Sequence, residues 1–385
     1  MSCSRNERET KESEWLIMKN AQQLLGERTE RVKKTIAFEK TDRTPVTLSG
    51  DAFFAKYAGM KLSDFCADFK ASHEAILHSF KDFGDVDGAG NIFGGATGFP
   101  LAFYCKVKLP GRELPDDAMW QLDEQELMTV EDYDTILNTG WKNFSDDYIK
   151  NRLGFDVDSL LPQLDNIPQF IKNFENAGYL VFATTATITV NEYLGGGRSF
   201  PKFMKDMFKM PDKVEAVLDL ILQETLAEFR KQIRAAKPLL VFLSPARGAS
   251  EFYSPKIWRR FVWKYLKATV EMIVEEGAIA NLHIDGNWER DLAYFKTLPK
   301  QKCIFESDSS TNIYKVREVL GDHMCIKGDV PAALLTLGTP DEVYDYCTKL
   351  IHDMGTGFIL ASGCTIPPNA KVDNVKAMVA AASGK

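Results

Sequence analysis

Imidazole, carboxylate and thiolate side chains at the ends of separate apolar runs are the groups in this chain best suited to chemistry. The stretch Asn281-Leu282-His283-Ile284-Asp285-Gly286-Asn287 reads as a β-strand running into a polar turn. Side chains alternate along a strand with period two, so His283 and Asp285 share one face while Leu282 and Ile284 take the other. Glu306 and Cys364 each follow a later apolar run. Together His283, Asp285, Glu306 and Cys364 make a donor set that Zn²⁺ accepts. The same residues also fit a satisfied core histidine, a buried thiol and ordinary loop acids, and residue type alone leaves both readings open.

What must position them is a repeating alternation of strand and helix. Short apolar runs beginning near residues 46, 86, 179, 239, 279, 302, 324 and 357 are each followed by a segment of helical periodicity. Eight βα units predict an α/β fold of the (β/α)8 TIM-barrel type, with sites at the C-terminal strand ends; a doubly wound sheet is the alternative. Glu14 to Phe38 predicts a long helix, with Trp15, Leu16, Met18, Leu24, Leu25, Val32 and Ile36 near helical spacing. Residues 1–42 are therefore assigned to an N-terminal helical extension and 43–385 to a single barrel domain. Residues 101–178 break the rhythm and read as an insertion, first a hairpin from Tyr104 to Leu109 turning at Pro110-Gly111, then an acidic and mostly helical stretch.

In a barrel the residues just past each strand converge. In chain order they are Asp51, Asn91, Phe93, Thr187, Ser244, Arg247, His283, Asp285, Glu306, Asp308, Lys327, Asp329 and Cys364. Arg247 has the planar fork that binds a carboxylate or phenolate, although pairing with a nearby acid such as Glu251 is equally expected. Phe53, Phe54, Phe93, Phe99, Tyr253 and Trp288 lie near the expected mouth and would wall an aromatic pocket. Gly94-Gly95-Ala96-Thr97-Gly98 and Gly195-Gly196-Gly197-Arg198 lack the spacing of phosphate loops or dinucleotide fingerprints and predict tight turns instead.

At 45% hydrophobic and 26% charged residues, the chain reads as globular. A net charge of −7 and a pI near 5.5 exclude the concentrated basic footprint of a nucleic-acid binder. Met1 to Trp15 mixes charges of both signs, and no run approaches the ~20 apolar residues of a membrane span, so a cytoplasmic location is expected. Seven cysteines, at 3, 66, 105, 303, 325, 347 and 364 and without a CxxC pair, suit reduced thiols, most of them small core hydrophobes.

The C-terminal third carries a resemblance. Leu282-His283-Ile284-Asp285-Gly286-Asn287, Lys327-Gly328-Asp329-Val330-Pro331, Leu334-Leu335, Gly338-Thr339-Pro340-Asp341-Glu342-Val343, Gly363-Cys364-Thr365-Ile366-Pro367 and Asn374 resemble the uroporphyrinogen decarboxylase superfamily. Within it the pattern is closer to the zinc-dependent, corrinoid-linked methyltransferases. The resemblance is strong over residues 240–382 and thin before them, and it implies a (β/α)8 barrel. In those methyltransferases zinc is held by a His-x-Cys pair, a distant Cys in a Gly-Cys segment and, in some states, an acidic residue from an intervening strand end. His283 and Cys364 match, Glu306 stands where the acidic ligand would be, and Asp285 replaces the first Cys.

One thiolate with carboxylates leaves a harder, more Lewis-acidic ion than two thiolates, and such an ion suits polarisation of an ether oxygen. The resemblance and this replacement together imply an O-demethylase component, moving a methyl group from an O-methyl donor, an aryl methyl ether, to the Co(I) of a partner corrinoid protein. Catalytic roles fall to Glu306, Asp285 and Asp308, the last as proton donor to the departing phenolate. Substrate contacts fall to Arg247, Asn91, Phe93, Tyr253, Trp288 and Asp329. The expected cofactors are zinc and the partner's corrinoid, the expected partners a small-molecule donor and that corrinoid protein, with a homo-oligomer admitted. Alternatives are a methyl-corrinoid:thiol or tetrahydrofolate methyltransferase, a decarboxylase, and a non-catalytic tetrapyrrole- or corrinoid-binding barrel. Decarboxylation is disfavoured because Leu48-Ser49-Gly50-Asp51-Ala52-Phe53-Phe54 has no arginine where the decarboxylases carry an arginine-bearing segment facing the substrate propionates.

Overall fold

Parallel strand pairing organises the chain. The strands are β1 (Thr47–Leu48), β2 (Gly88–Ala89), β3 (Lys106–Lys108), β4 (Gln121–Asp123), β5 (Leu180–Val181), β6 (Thr185–Ile188), β7 (Leu240–Ser244), β8 (Ile279–Ile284), β9 (Cys303–Ser307), β10 (Cys325–Val330) and β11 (Phe358–Ser362). This computed structural model describes residues 5–384, with side chains from residue 20 onward; Cys3 and the side chains of Trp15, Leu16 and Met18 lie outside them. One parallel sheet has the order β1-β2-β5 and a second the order β11-β10-β9-β8-β7-β6. Val46 forms a parallel bridge to Leu360, and the Leu360 N–H donates to the Pro45 carbonyl at 2.8 Å.

Three expectations are corrected. The apolar run beginning near residue 179, counted as one strand, is broken after Val181 into β5 and β6, which lie in different sheets. The segment after β8 forms a 3₁₀ helix, Glu289–Thr297, rather than an α-helix; its buried Leu292 and Phe295 are three apart, the repeat of a 3₁₀ helix. The hairpin of the insertion reaches further than Pro110-Gly111, because Lys106 pairs with Asp123 and Lys108 with Gln121 across the antiparallel β3 and β4.

Period-two alternation divides the strands into two faces. Leu180, Leu240, Ile304, Cys325 and Ile359, one from each of five strands, are buried with Val32 and Ile36 of α1 (Arg5–Ile36). Neighbouring residues such as Val241, Leu243, Leu282, Phe305 and Leu360 face the other way, into the large core shared with the helices. The α1 helix therefore closes the N-terminal ends of the strands, and the inward positions further along, Phe242, His283, Glu306 and Lys327, are left to build a site.

A buried charge cluster fixes α1 in that place. Asp87, fully buried, accepts hydrogen bonds from Arg31 Nη1 at 2.5 Å, Arg43 Nη1 at 2.6 Å and the Val46 N–H at 2.8 Å. Removing the carboxylate leaves two guanidinium groups short of their shared counter-charge. Asp87→Ala is expected to lose about 3–5 kcal/mol of stability in urea denaturation. A loss of less than about 1 kcal/mol, the range of exposed ion pairs, would contradict the clamp.

Candidate metal centre

The parallel register of three strands assembles the centre. His283 on β8 lies beside Glu306 on β9, and Glu306 lies beside Lys327 on β10. Neighbouring strands are about 4.8 Å apart, so these inward-facing groups must interact. Glu306 Oε1 is 3.0 Å from Lys327 Nζ and 3.4 Å from His283 Nδ1, while Oε2 accepts from Asn281 Nδ2 at 2.6 Å. The Lys327 ammonium also sits 4.9 Å from the centre of the Phe182 ring. The contact with His283 is off the line of a hydrogen bond, and Nδ1 is buried without a hydrogen-bond partner.

The other edge of the imidazole meets the loops. His283 Nε2 is 3.4 Å from Asp285 Oδ1 and 3.5 Å from Cys364 Sγ. Tight backbone approaches hold both partners there. Gly286 has φ +79°, and a β-carbon on it would lie 2.9 Å from Ala249 Cβ. Gly363 lies so close to the Asp308 carbonyl that a β-carbon would stand 2.8 Å from its oxygen. Among the described cysteines, Cys66, Cys105, Cys303, Cys325 and Cys347 are buried and Cys364 is exposed.

Electrostatics bind the cluster together. Burial alone would lower the His283 pKa, but Asp285, Cys364 and Glu306 raise it well above the usual imidazole value. Burial would likewise raise the Glu306 carboxyl, yet Lys327 and then His283 hold it well below the usual carboxylate range. Glu306 is thus an ionised buried carboxylate beside the far nitrogen of His283, acting on the imidazole through its charge; carboxylates in that position tune and orient metal-bound histidines.

Nitrogen, oxygen and sulfur donors from His283, Asp285 and Cys364 lie within 4.8 Å of one another. A tetrahedral zinc site with bonds of about 2.0–2.3 Å has donor–donor edges of about 3.3–3.8 Å, and the two spacings from Nε2 fall in that range. The donor set and its spacing therefore fit zinc. Glu306, expected among the ligands, stands outside the group because Lys327 and Asn281 occupy its oxygens.

Two cavities meet at this centre. The larger, about 1370 Å³, is walled by aromatic side chains including Phe99, Phe103, Trp120, Trp141 and Tyr193, with Phe242, His283 and Asp285 at the strand ends. The smaller, about 290 Å³, is lined by Ser49, Asp51, Asn91, Lys327, Cys364 and Thr365 on its polar side and by Phe93, Phe99, Phe182 and Phe242 on its apolar side. Phe242 packs against the His283 ring at 5.2 Å and, with His283, borders both.

Most residues expected to touch substrate have other partners. Arg247 is ion-paired to Glu192, with Nη1 to Oε2 at 2.7 Å, and to Glu124, with Nε to Oε1 at 2.7 Å, so neither Glu251 nor a ligand takes its fork. Tyr253 is buried and donates to the Arg247 carbonyl at 2.8 Å. Trp288 is fully buried and donates to the Asp285 carbonyl at 2.8 Å, bracing the loop from behind. Asp329 accepts from Tyr346 on the helix Pro340–Met354 at 3.1 Å. Asp308 accepts from the Gly286 and Ser310 N–H groups at 2.9 and 2.8 Å and borders neither cavity. Phe53 and Phe54 belong to the core. Asn91, Phe93 and Phe99 do line the smaller cavity. Lys327 and Asp51 were visible only as strand-end residues, and Asn281 only as the first residue of the His283 stretch; their roles depend on partners distant in sequence.

The family model described as uroporphyrinogen decarboxylase (URO-D) matches residues 27–384. The chain belongs to the uroporphyrinogen decarboxylase family. It is 21% identical over 223 residues to a uroporphyrinogen decarboxylase of Coxiella burnetii, covering 56% of this chain and 61% of that one. It is 24% identical over 187 residues to the methylcobamide:CoM methyltransferase MtaA of Methanosarcina barkeri, covering 48% of this chain and 52% of that one. The matched part thus spans about half to three-fifths of these relatives' length. A methyltransferase from Methanosarcina mazei superposes with a TM-score of 0.69 over 92% of this chain and 97% of that one, at 17% identity, which shows a shared fold. No described helix is long and apolar enough to cross a membrane.

Zinc added to metal-free protein is expected to bind at about one ion per chain, measured by elemental analysis after gel filtration. His283→Ala and Cys364→Ala should lose it. Glu306→Gln should keep the ion with affinity weakened about 10–100-fold, whereas complete loss would make Glu306 a ligand.

Proposed function

We propose that this chain is a (β/α)8-barrel methyltransferase that takes a methyl group from an aryl methyl ether and passes it to the Co(I) of a partner corrinoid protein. The carrying observation is the donor trio of one imidazole, one carboxylate and one thiol, with His283 and Asp285 on the wall of a large aromatic cavity and Cys364 on the wall of the smaller cavity that meets it. Closure of the barrel is supported by the Val46–Leu360 bridge at one junction of the two sheets and by the split strand β5 and β6 at the other.

Zinc held by His283, Asp285 and Cys364 would supply Lewis acidity toward an ether oxygen. Glu306, fixed by Lys327 and Asn281, holds the imidazole ring with Nε2 turned to the other donors. The aromatic walls bury the ring of the donor and exclude water, leaving the methyl carbon open toward the larger cavity. A mixed set with a single thiol favours an oxygen leaving group over capture of an incoming thiolate.

The likeness to a methylcobamide:CoM methyltransferase supports a second reading, methyl transfer from a methyl-corrinoid to a thiol. Porphyrinogen decarboxylation has less support. The cations bordering the two cavities are Lys142, Lys231 and Lys327, with no arginine among the described lining residues to meet propionates. Incubated with a methoxyarene and a Co(I) corrinoid protein in the absence of thiol, the protein is expected to form methyl-cobalt, followed by visible absorbance. His283→Ala should slow this by about 10²-fold or more. Demethylation of methylcobalamin only when a thiol is supplied would favour the second reading.

A further inference from the structure

The smaller cavity contains a carboxyl group that the proposed chemistry has not used. Asp51 opens the short helix Asp51–Tyr57 just past β1, and its side chain borders the same 290 Å³ chamber as His283 and Cys364. Asn91 holds it in a defined orientation. The Asn91 Oδ1 accepts from the Gly50 N–H at 2.9 Å and from the Ser49 hydroxyl at 3.2 Å, so its Nδ2 must face outward, and it donates to Asp51 Oδ1. Oδ1 is thereby fixed as an acceptor. Any proton on the carboxyl resides on Oδ2, which has no hydrogen-bond partner within the described protein.

We propose that Asp51 is the general acid that protonates the oxygen leaving from the methyl group. The inference rests on the methyl-transfer reading above and assigns to Asp51 the step that sequence placed on Asp308. Asp308 is excluded by its bonds to Gly286 and Ser310, and Asp285 by its place in the donor trio. In the step, the carbon–oxygen bond breaks and its electron pair passes to oxygen, which takes the proton from Asp51 Oδ2. The electron pair of the reduced corrinoid forms the cobalt–carbon bond, cobalt going from Co(I) to Co(III). The Asp51 carboxylate is reprotonated from solvent.

The environment keeps this proton available at neutral pH. Burial lifts the Asp51 carboxyl to about 7, with the Asn91 hydrogen bond opposing the rise. The titratable groups facing it across the chamber are His283, Glu306, Lys327 and Cys364, with Cys66 close behind it. Glu306 and Lys327 neutralise one another as a pair, so desolvation dominates. A general acid is most effective with a pKa near the working pH. The rate is therefore expected to fall as pH rises through about 7 and Asp51 gives up its proton.

The test compares wild type and Asp51→Asn on a series of methyl aryl ethers, from methoxybenzene to its 4-nitro derivative, with reduced corrinoid as acceptor. Asp51→Asn should lose about 10²-fold or more on unactivated ethers. It should lose little on the nitro ether, whose phenolate departs without a proton. In wild type, a normal solvent deuterium isotope effect should appear with unactivated ethers and vanish with the nitro ether, a readout that stands even if the variant does not fold. An equal loss across the series, or no isotope effect in wild type, overturns the role of Asp51 while methyl transfer survives. No methylation of the corrinoid from any ether by wild type overturns the methyl-transfer reading and this inference with it.

Discussion

A carboxylate buried inside a strand assembly requires compensating charge, and Glu306 has its compensation on the strands either side. Lys327 on one neighbour and His283 on the other are fixed in place by the parallel register, with Asn281 supplying a further donor. Replacing either neighbour with an apolar residue would strand a charge where little solvent reaches. The same constraint turns the imidazole so that one ring edge faces Glu306 and the other faces Asp285 and Cys364. The candidate metal centre is thus a consequence of strand pairing at its inner side, and its outer donors, Asp285 and Cys364, come from loops.

The insertion beside the centre is held by a second set of largely buried charges. Arg247 joins Glu192, on the helix Asn191–Gly197, to Glu124, which follows β4 in the insertion. Arg198 does similar work, with Nη1 2.6 Å from both Glu126 Oε1 and the Met128 carbonyl. The acidic edge of the insertion is therefore pinned to the strand assembly, and with it Trp120 and Leu122, which border the larger cavity. An arginine that looked like a substrate anchor serves instead to place the wall that substrate would meet.

Several residues that carry the family resemblance have structural duties rather than chemical ones. Thr339 and Glu342 form a reciprocal capping box at the start of the helix Pro340–Met354. Asn374, fully buried, donates to the carbonyls of Leu335 and Gly338 at 3.0 and 2.9 Å and so ties the last helix, Val372–Ser383, to the segment after β10. Such positions report the fold shared with decarboxylases and methyltransferases alike. The proposed chemistry rests instead on the few residues around His283, among them Asp285 and the carboxyl of Asp51 in the smaller cavity.

Local pattern determined a good deal by itself. Alternation of apolar residues located β7 to β11, and the same alternation put His283 and Asp285 on one side of a strand end, because both properties depend only on neighbours in sequence. The turn at Gly286, beside Asp285, was likewise legible. Tertiary structure decided everything that depended on long-range partners. Arg247 became a clamp because Glu124 and Glu192 reach it from other elements, and Glu306 is turned toward Lys327 and Asn281, which hold its oxygens, and lies outside the donor trio. Asp51 gained its fixed orientation because Asn91, forty residues away, donates to it at the edge of the smaller cavity. A side chain's type is written in the sequence, but its charge state and its free valences are set by the groups folding brings within a few ångströms of it.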